Sequence, residues 1–544
     1  MIDRRLPALL VMAACTSRSE PASRATAEPP ATSAAAPATS AAAPPSPGGD
    51  PGRFVEARLA VRSARGDADD RALVWSPTGR AVAWVEPVGD RERVVVTGIA
   101  QRVFDHVREL ELADDGVTPR YIANEGGALE AGSRVENLRG GVFRLVVGDR
   151  LGPPADAAII VRDLDEPDAP FAMIGWHGVT ESLTVAGHEG PAVASIALEH
   201  LTWLPDGRPT YPARIGGAEH VVIGVDLGPA YTRTTRPRVS QSGAVAYGGR
   251  DADGGWHVMV DRAPGPRYDD VDELAISPDG VPAYQATRGR ATYAVQGDRE
   301  LGPYDRAMDF AFSGSGGHVA FTARRGDRWF VVADGKPGPG FPGVGGAASF
   351  SDDGGHVAYV AHLRDEGLGP VAVVRDGRLE RARGGEARTL RWSRDGRHLA
   401  YVAGRGGDQL VVVDGVPGPA MIEVGALVFD GLGQVVYEAR RRDHERRTVA
   451  CVVRGTTPRC YDDVGEPNLI AGDPDLNFTL DPSGRHLAFR AQRAGRWFVV
   501  IDDVEGPPVD RTWPPRWSRD GAQLGYGAQL GDELWWKVVP VPGA

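Results

Sequence analysis

Lysine is almost missing from this chain: Lys336 and Lys537 are the only two among 61 basic residues, so its positive charge is arginine. The balance is acidic, with a formal net charge of −12, which excludes the basic surplus expected of a nucleic-acid binder. Cysteine occurs three times, at Cys15, Cys451 and Cys460, with no Cys-x-x-Cys spacing, so a redox motif is not expected. No apolar run approaches the roughly 18 residues of a membrane span. Neither a Gly-x-Ser-x-Gly elbow nor a phosphate-binding loop is present. Glycine (71) and proline (43) are plentiful, and 42% of residues are apolar. That mixture reads as an all-β protein of short strands, and 544 residues hold two or three domains.

The N-terminus carries a targeting pattern: Arg4 and Arg5, then an apolar run from Leu6 to Ala14, then "MAAC". It resembles a bacterial lipoprotein signal, which implies lipidation of Cys15 as the mature N-terminus; simple cleavage of a secretory signal is the alternative. Thr16, where an inner-membrane protein would have Asp, implies the outer membrane, facing the periplasm or the cell surface. Residues 1–15 are thus the signal. Residues 16–52, rich in Ala, Pro, Ser and Thr, form an expected disordered tether, because they have too little apolar surface to offset their ordering entropy.

The remainder repeats. Gly-Pro recurs at Gly152, Gly190, Gly228, Gly265, Gly302 and Gly338 at intervals of 36 to 38 residues, then at Gly418 and Gly506. A second phrase alternates with it, as in "FSDDGGHVAY" at Phe350 and "WSRDGRHLAY" at Trp392. One unit parses as four strands: "LRWS", an Asp-Gly turn, "RHLAYVA", then "QLVVVD", then a weak outer strand "AMIEV" opened by Gly-Pro. Four strands every 37 residues or so mark a β-propeller, with twelve units counted. The phrase "WSRDGRHLAYVA" resembles the TolB-like, WD-like propeller repeat of bacterial periplasmic proteins, over nearly everything after Arg53. Two six-bladed rings are expected, residues 53–299 and 300–544. In that frame the N-terminal "RFVEARLAV" and the strand at Gly302 each close a ring. One large ring closed by "RFVEARLAV" is the alternative.

Few residues point to chemistry. Cys451 and Cys460 flank the hairpin "CVVRGTTPRC" and suit a structural disulfide in an oxidising compartment. His318, His356, His398 and His486 share one repeat position, so they fall on different blades and are not expected to converge on a metal. "DPDLN" at Asp473 and "DADGG" at Asp251 lack the rest of a calcium loop. No metal site and no cofactor are therefore expected. Arginines crowd the loops between second and third strands: Arg288, Arg290, Arg324, Arg325, Arg405, Arg440, Arg441 and Arg442. They are the candidate face for an anionic ligand, a glycan or a lipid headgroup, since guanidinium forks suit carboxylate and phosphate. Asp269, Asp270, Asp462 and Asp463 lie on loops of the same face and offer a competing, self-neutralised reading.

The expected function is a non-catalytic envelope lipoprotein, a propeller scaffold for an envelope protein or an anionic ligand, with no nucleic acid and with membrane contact only through the N-terminal lipid. The alternative is a propeller enzyme, a hydrolase or lyase on envelope or extracellular glycans, with its site in a central channel. No residue is assigned as catalytic. Inner strands such as "LAIS" and "FAFS", apolar with a terminal serine, disfavour the enzyme.

Overall fold

The computed structural model describes residues 57–61, 73–76, 81–113, 115–127, 141–161, 172–185, 188–364, 370–382, 385–465 and 477–541. Cys15, the signal, the tether, the turns near Gly79 and Asp165, and Asp473 and Asp475 lie outside them. The described residues form twelve antiparallel sheets, blades 1 to 12, which begin at residues 74, 106, 157, 195, 233, 270, 306, 343, 387, 423, 478 and 511.

Blade 9 shows the unit: Ala387–Trp392, Leu399–Arg405, Asp408–Val413 and Val416–Pro417, paired in sequence order. The turn between third and fourth strands has both central residues left-handed, Asp414 at φ 47° and Gly415 at φ 80°. That is the two-residue hairpin geometry whose twist matches its strands. The fourth strand starts directly after this turn, before the Gly-Pro pair rather than after it, and "AMIEV" leads into the next blade's first strand, Glu423–Phe429.

The Gly-Pro phrase has a packing cause. Gly338 N–H donates to the Val331 carbonyl at 2.8 Å, and Gly418 N–H to Val411 at 2.8 Å. A Cβ at Gly338 would stand 3.2 Å from that carbonyl and 3.3 Å from the Tyr359 hydroxyl of the next blade. At Gly418 the corresponding neighbours are the Val411 carbonyl at 3.1 Å and the Tyr437 hydroxyl at 3.6 Å. The glycine is the place where one blade's edge lets the next blade's buried tyrosine in.

A separate apolar cluster fills each junction between successive blades. Ala294, Ala307, Phe321 and Phe330 join blades 6 and 7, and Val82, Leu534 and Trp536 join blade 12 to blade 1. First strands of neighbouring blades lie side by side, as Asp270–Ile276 does with Arg306–Phe312, so they line the inner wall. Closure comes from Ala57–Val61, which pairs antiparallel with Glu533–Pro540 as the outer strand of blade 12. The strand expected to open a second ring, Arg299–Tyr304, is instead hydrogen-bonded to Ala291–Gln296 as the fourth strand of blade 6. The expected division at 299/300 therefore falls at the start of one strand. With clusters at the blade 6/7 and blade 12/1 junctions, the pairings make one twelve-bladed ring.

Candidate functional site

The repeated histidines meet an acid of their own blade in four of the blades, 7, 8, 9 and 11. His318, His356 and His398 place Nδ1 at 2.8, 2.8 and 2.6 Å from Asp334, Asp376 and Asp414, the acids of the hairpin turns. His486 does the same with Asp502 at 2.5 Å. Each acid also accepts the next backbone N–H, as Asp414 does from Leu399 at 3.1 Å. Three of the four rings lie against aromatics of the following blade, His356 stacking on Trp392 at 5.6 Å. The terminal serines of the first strands are buried and engaged: Ser393 Oγ donates to Asp395 at 2.6 Å and accepts the His398 N–H at 3.0 Å. Sequence reasoning separated these histidines correctly but missed their partners. The signal was there, since three of the four acids follow their histidine by 16 residues.

On the opposite rim the arginine hairpins divide. Arg288 pairs with Glu300 at 2.8 Å and lies over Tyr268, while Arg405 donates to Glu386 at 2.5 Å. Arg324 lies over Trp329 and Arg325 over Tyr304, at 5.7 and 5.3 Å. Arg290, Arg441 and Arg442 are exposed, and Arg440 is 4.0 Å from Glu423. Two of the aspartates expected to neutralise this face also serve the turn backbone. Asp269 accepts the Gly289 N–H at 2.6 Å and Asp462 accepts the Ala494 N–H at 2.7 Å, so they cap the hairpin turns. Equivalent aspartates do both, as Asp105 accepts the Gly126 N–H and pairs with Arg91 at 2.9 Å, so aspartates and glutamates share the pairing with arginine on this face.

Cys451 and Cys460 stand directly opposite in the hairpin of blade 10 and are disulfide-bonded. In blade 5, Asp251 and Asp253 of "DADGG" meet His257 and Arg267 at 3.0 and 2.8 Å. Among the described residues no group of three or more His, Cys, Asp or Glu gathers as a metal site.

The inner wall is more polar than its strand sequences suggest. Glu273, Asp309 and Thr389 sit at bulges in the first strands with φ of 56°, 55° and 56°, upstream of the apolar residues first read as the strand. Two clefts open beside first strands broken in two. One of about 590 Å³ is lined by Ser349, Arg388, Thr389 and Arg391, beside the break in blade 8. The other, of about 410 Å³, is lined by Thr202, Arg236, Arg238, Glu273 and Asp309, beside the break in blade 5. Their arginines also tie blades together. Arg388 donates to the Val424 carbonyl at 2.8 Å and Arg238 to the Leu274 carbonyl at 3.0 Å. Desolvation by the surrounding protein lowers the Arg238 pKa from its ordinary value.

No family model matches the chain, and no curated protein matches it. Among solved structures it is similar to hydrazine synthase of Kuenenia stuttgartiensis, 13% identical over 51% of this chain and 98% of that one, with a TM-score of 0.25. It is also similar to the Dos1 propeller, 10% identical over 62% and 90%, TM-score 0.25. TolB from Acinetobacter baumannii is 13% identical over 55% and 76%, TM-score 0.23. Likenesses at these TM-scores carry no argument about function, which rests on the chain's own geometry: a closed ring of twelve four-stranded blades.

Proposed function

We propose that this protein is a non-catalytic binding scaffold of the bacterial envelope, tethered by lipid on Cys15, which holds an envelope protein or an anionic ligand on its hairpin face. The observation behind this reading is that the repeated histidines pair one by one with turn aspartates of their own blades, in four different blades, and the repeated serines bond within their own turns. A catalytic set needs its nucleophile, base and orienting acid within hydrogen-bond reach of one substrate position, and these pairs are dispersed around the ring. The competing reading, a glycan hydrolase or lyase in the central channel, has one observation in its favour. Glu273 and Asp309 line an inner-wall cleft from left-handed backbone positions, a strain that collects at working sites.

The test is to incubate the protein with envelope glycans and to measure both retention and chain cleavage. The scaffold reading expects retention without new reducing ends or unsaturated termini, unchanged by Glu273→Gln with Asp309→Asn. Cleavage abolished by that double substitution would replace it with the enzyme.

A further inference from the structure

One hairpin departs from the others. It joins Val435–Arg442 to Thr448–Arg454 in blade 10, and five of the eight residues from 440 to 447 are arginine, in a chain of net charge −12. Its two acids both turn to one arginine: Asp443 and Glu445 lie 2.9 and 3.2 Å from Arg447. Arg441, Arg442 and Arg446 are exposed, with Arg440 only loosely paired.

The backbone supplies a second observation. Blade 5 has the same loop: Asp251 N–H donates to Gly255 at 2.8 Å and Gly254 N–H to Asp251 at 3.1 Å. In blade 10, Asp443 N–H donates to Arg447 at 3.0 Å and Arg446 N–H to Asp443 at 3.1 Å. The fourth residue is left-handed in both, Gly254 at φ 92° and Arg446 at φ 64°. Glycine takes that conformation freely and arginine does not. A charge is thus held where the backbone disfavours any side chain. A third observation is the disulfide: Cys451 follows Ala450, the partner of Arg440, and bonds to Cys460 on the next strand, which braces the hairpin's base.

We propose that this hairpin is a docking prong for a linear polyanion, taking successive phosphate or carboxylate groups on its arginines; this rests on the scaffold reading above. Charge complementarity selects the class, because arginine forks bind both groups in the same way. Strand alternation puts Arg441 on the face opposite Arg440 and Arg442, so a flexible chain can use both faces. A flat anionic bilayer would also meet acids of other hairpins on the face, such as the exposed Asp408 of blade 9.

The experiment uses the full chain and three probes: linear polyphosphate, polygalacturonate, and vesicles rich in phosphatidylglycerol. The polymers separate phosphate from carboxylate, and the vesicles test a membrane instead. One variant, Arg446→Gly with Arg447→Gly, copies the blade 5 loop; the other is Arg440→Ser with Arg441→Ser and Arg442→Ser. The wild type should bind at least one polymer more tightly than the vesicles, and lose affinity as NaCl rises from about 50 to about 300 mM. Each variant should bind about tenfold more weakly or worse, with the Gly-Gly variant melting no lower than wild type. Polymer binding unchanged in both variants, preference for vesicles, or no polymer binding by the wild type would overturn the prong. An envelope partner held equally by wild type and both variants would remove the prong and leave the scaffold standing; glycan cleavage would remove the scaffold itself.

Discussion

Blades 9 and 10 are successive copies of one unit that tie their turns together in different ways. In blade 9, Ser393 holds the first turn and His398 reaches Asp414 of the second at 2.6 Å. At the equivalent positions blade 10 has Asp430, Gln434 and Gly455. There Arg454, the last residue of the third strand, reaches back to Asp430 at 2.7 Å. Asp430 is fully buried and also accepts the Leu432 and Gln434 N–H groups at 2.9 and 2.7 Å. Arg454 continues to the Arg485 carbonyl of blade 11 at 2.7 Å. The repeat therefore preserves a link between two turns and leaves the residue types that make it free to change. Blade 10 departs from blade 9 in its ion pair, its disulfide and its basic hairpin.

The two links should fail unequally. Asp430→Ser gives blade 10 the serine of blade 9 but leaves the half-buried Arg454 guanidinium with only Asp502 at 3.5 Å and the Arg485 carbonyl, and is expected to cost about 3 kcal/mol. Ser393→Ala leaves the His398–Asp414 pair in place and is expected to cost about 1 kcal/mol. Hydrogen exchange of the two blades, read beside the denaturation midpoint, checks this. Equal losses would mean that the links are energetically alike.

The period, the left-handed Asp-Gly turns and the edge role of Gly-Pro were legible because each is a local backbone demand met by a few residue types. Ring closure was not. The terminal strand Ala57–Val61 and the strand Arg299–Tyr304 both read as outer strands, and only the tertiary choice of partner separates one ring from two. The inner-wall acids were missed because a bulge interrupts strand alternation just where Glu273 and Asp309 sit, so the apolar residues after it read as the whole strand. The pairing of Arg288 with Glu300 was missed for another reason: the two stand on the second and fourth strands of blade 6, and the adjacent aspartates Asp269 and Asp270 on the joining loop were more conspicuous.

The disulfide sharpens the comparison next. Leu410 of blade 9 stands where blade 10 has Cys451, since each pairs with the matching alanine of the second strand, Ala403 or Ala439. Cys451→Ala with Cys460→Ala should lower stability by about 2.5 kcal/mol in the chain-entropy account. Dithiothreitol should raise exchange in residues 448–461 while leaving 408–417 unchanged. Equal exchange in both segments, before and after reduction, would remove the bracing role assigned to the bond.

The smallest effect expected concerns acid. Burial raises the Asp414 pKa, but hydrogen bonds from His398 and the Leu399 N–H, with the guanidinium of Arg375 at 2.8 Å, outweigh it and hold the carboxyl below its ordinary value. A depressed folded-state pKa gives stability that is complete above the unfolded value of about 4 and is lost as pH falls through the folded one. Asp414→Asn should therefore be less stable than wild type at neutral pH, by about 1 kcal/mol because the site is partly solvated. That gap should narrow below about pH 4 and close once the wild-type carboxyl is protonated. Blade 10 has Gly455 at this place, so its protection against exchange should lack this component of acid dependence. A gap between Asp414→Asn and wild type that stays constant from neutral pH into acid would show that the carboxylate's charge contributes nothing to the link.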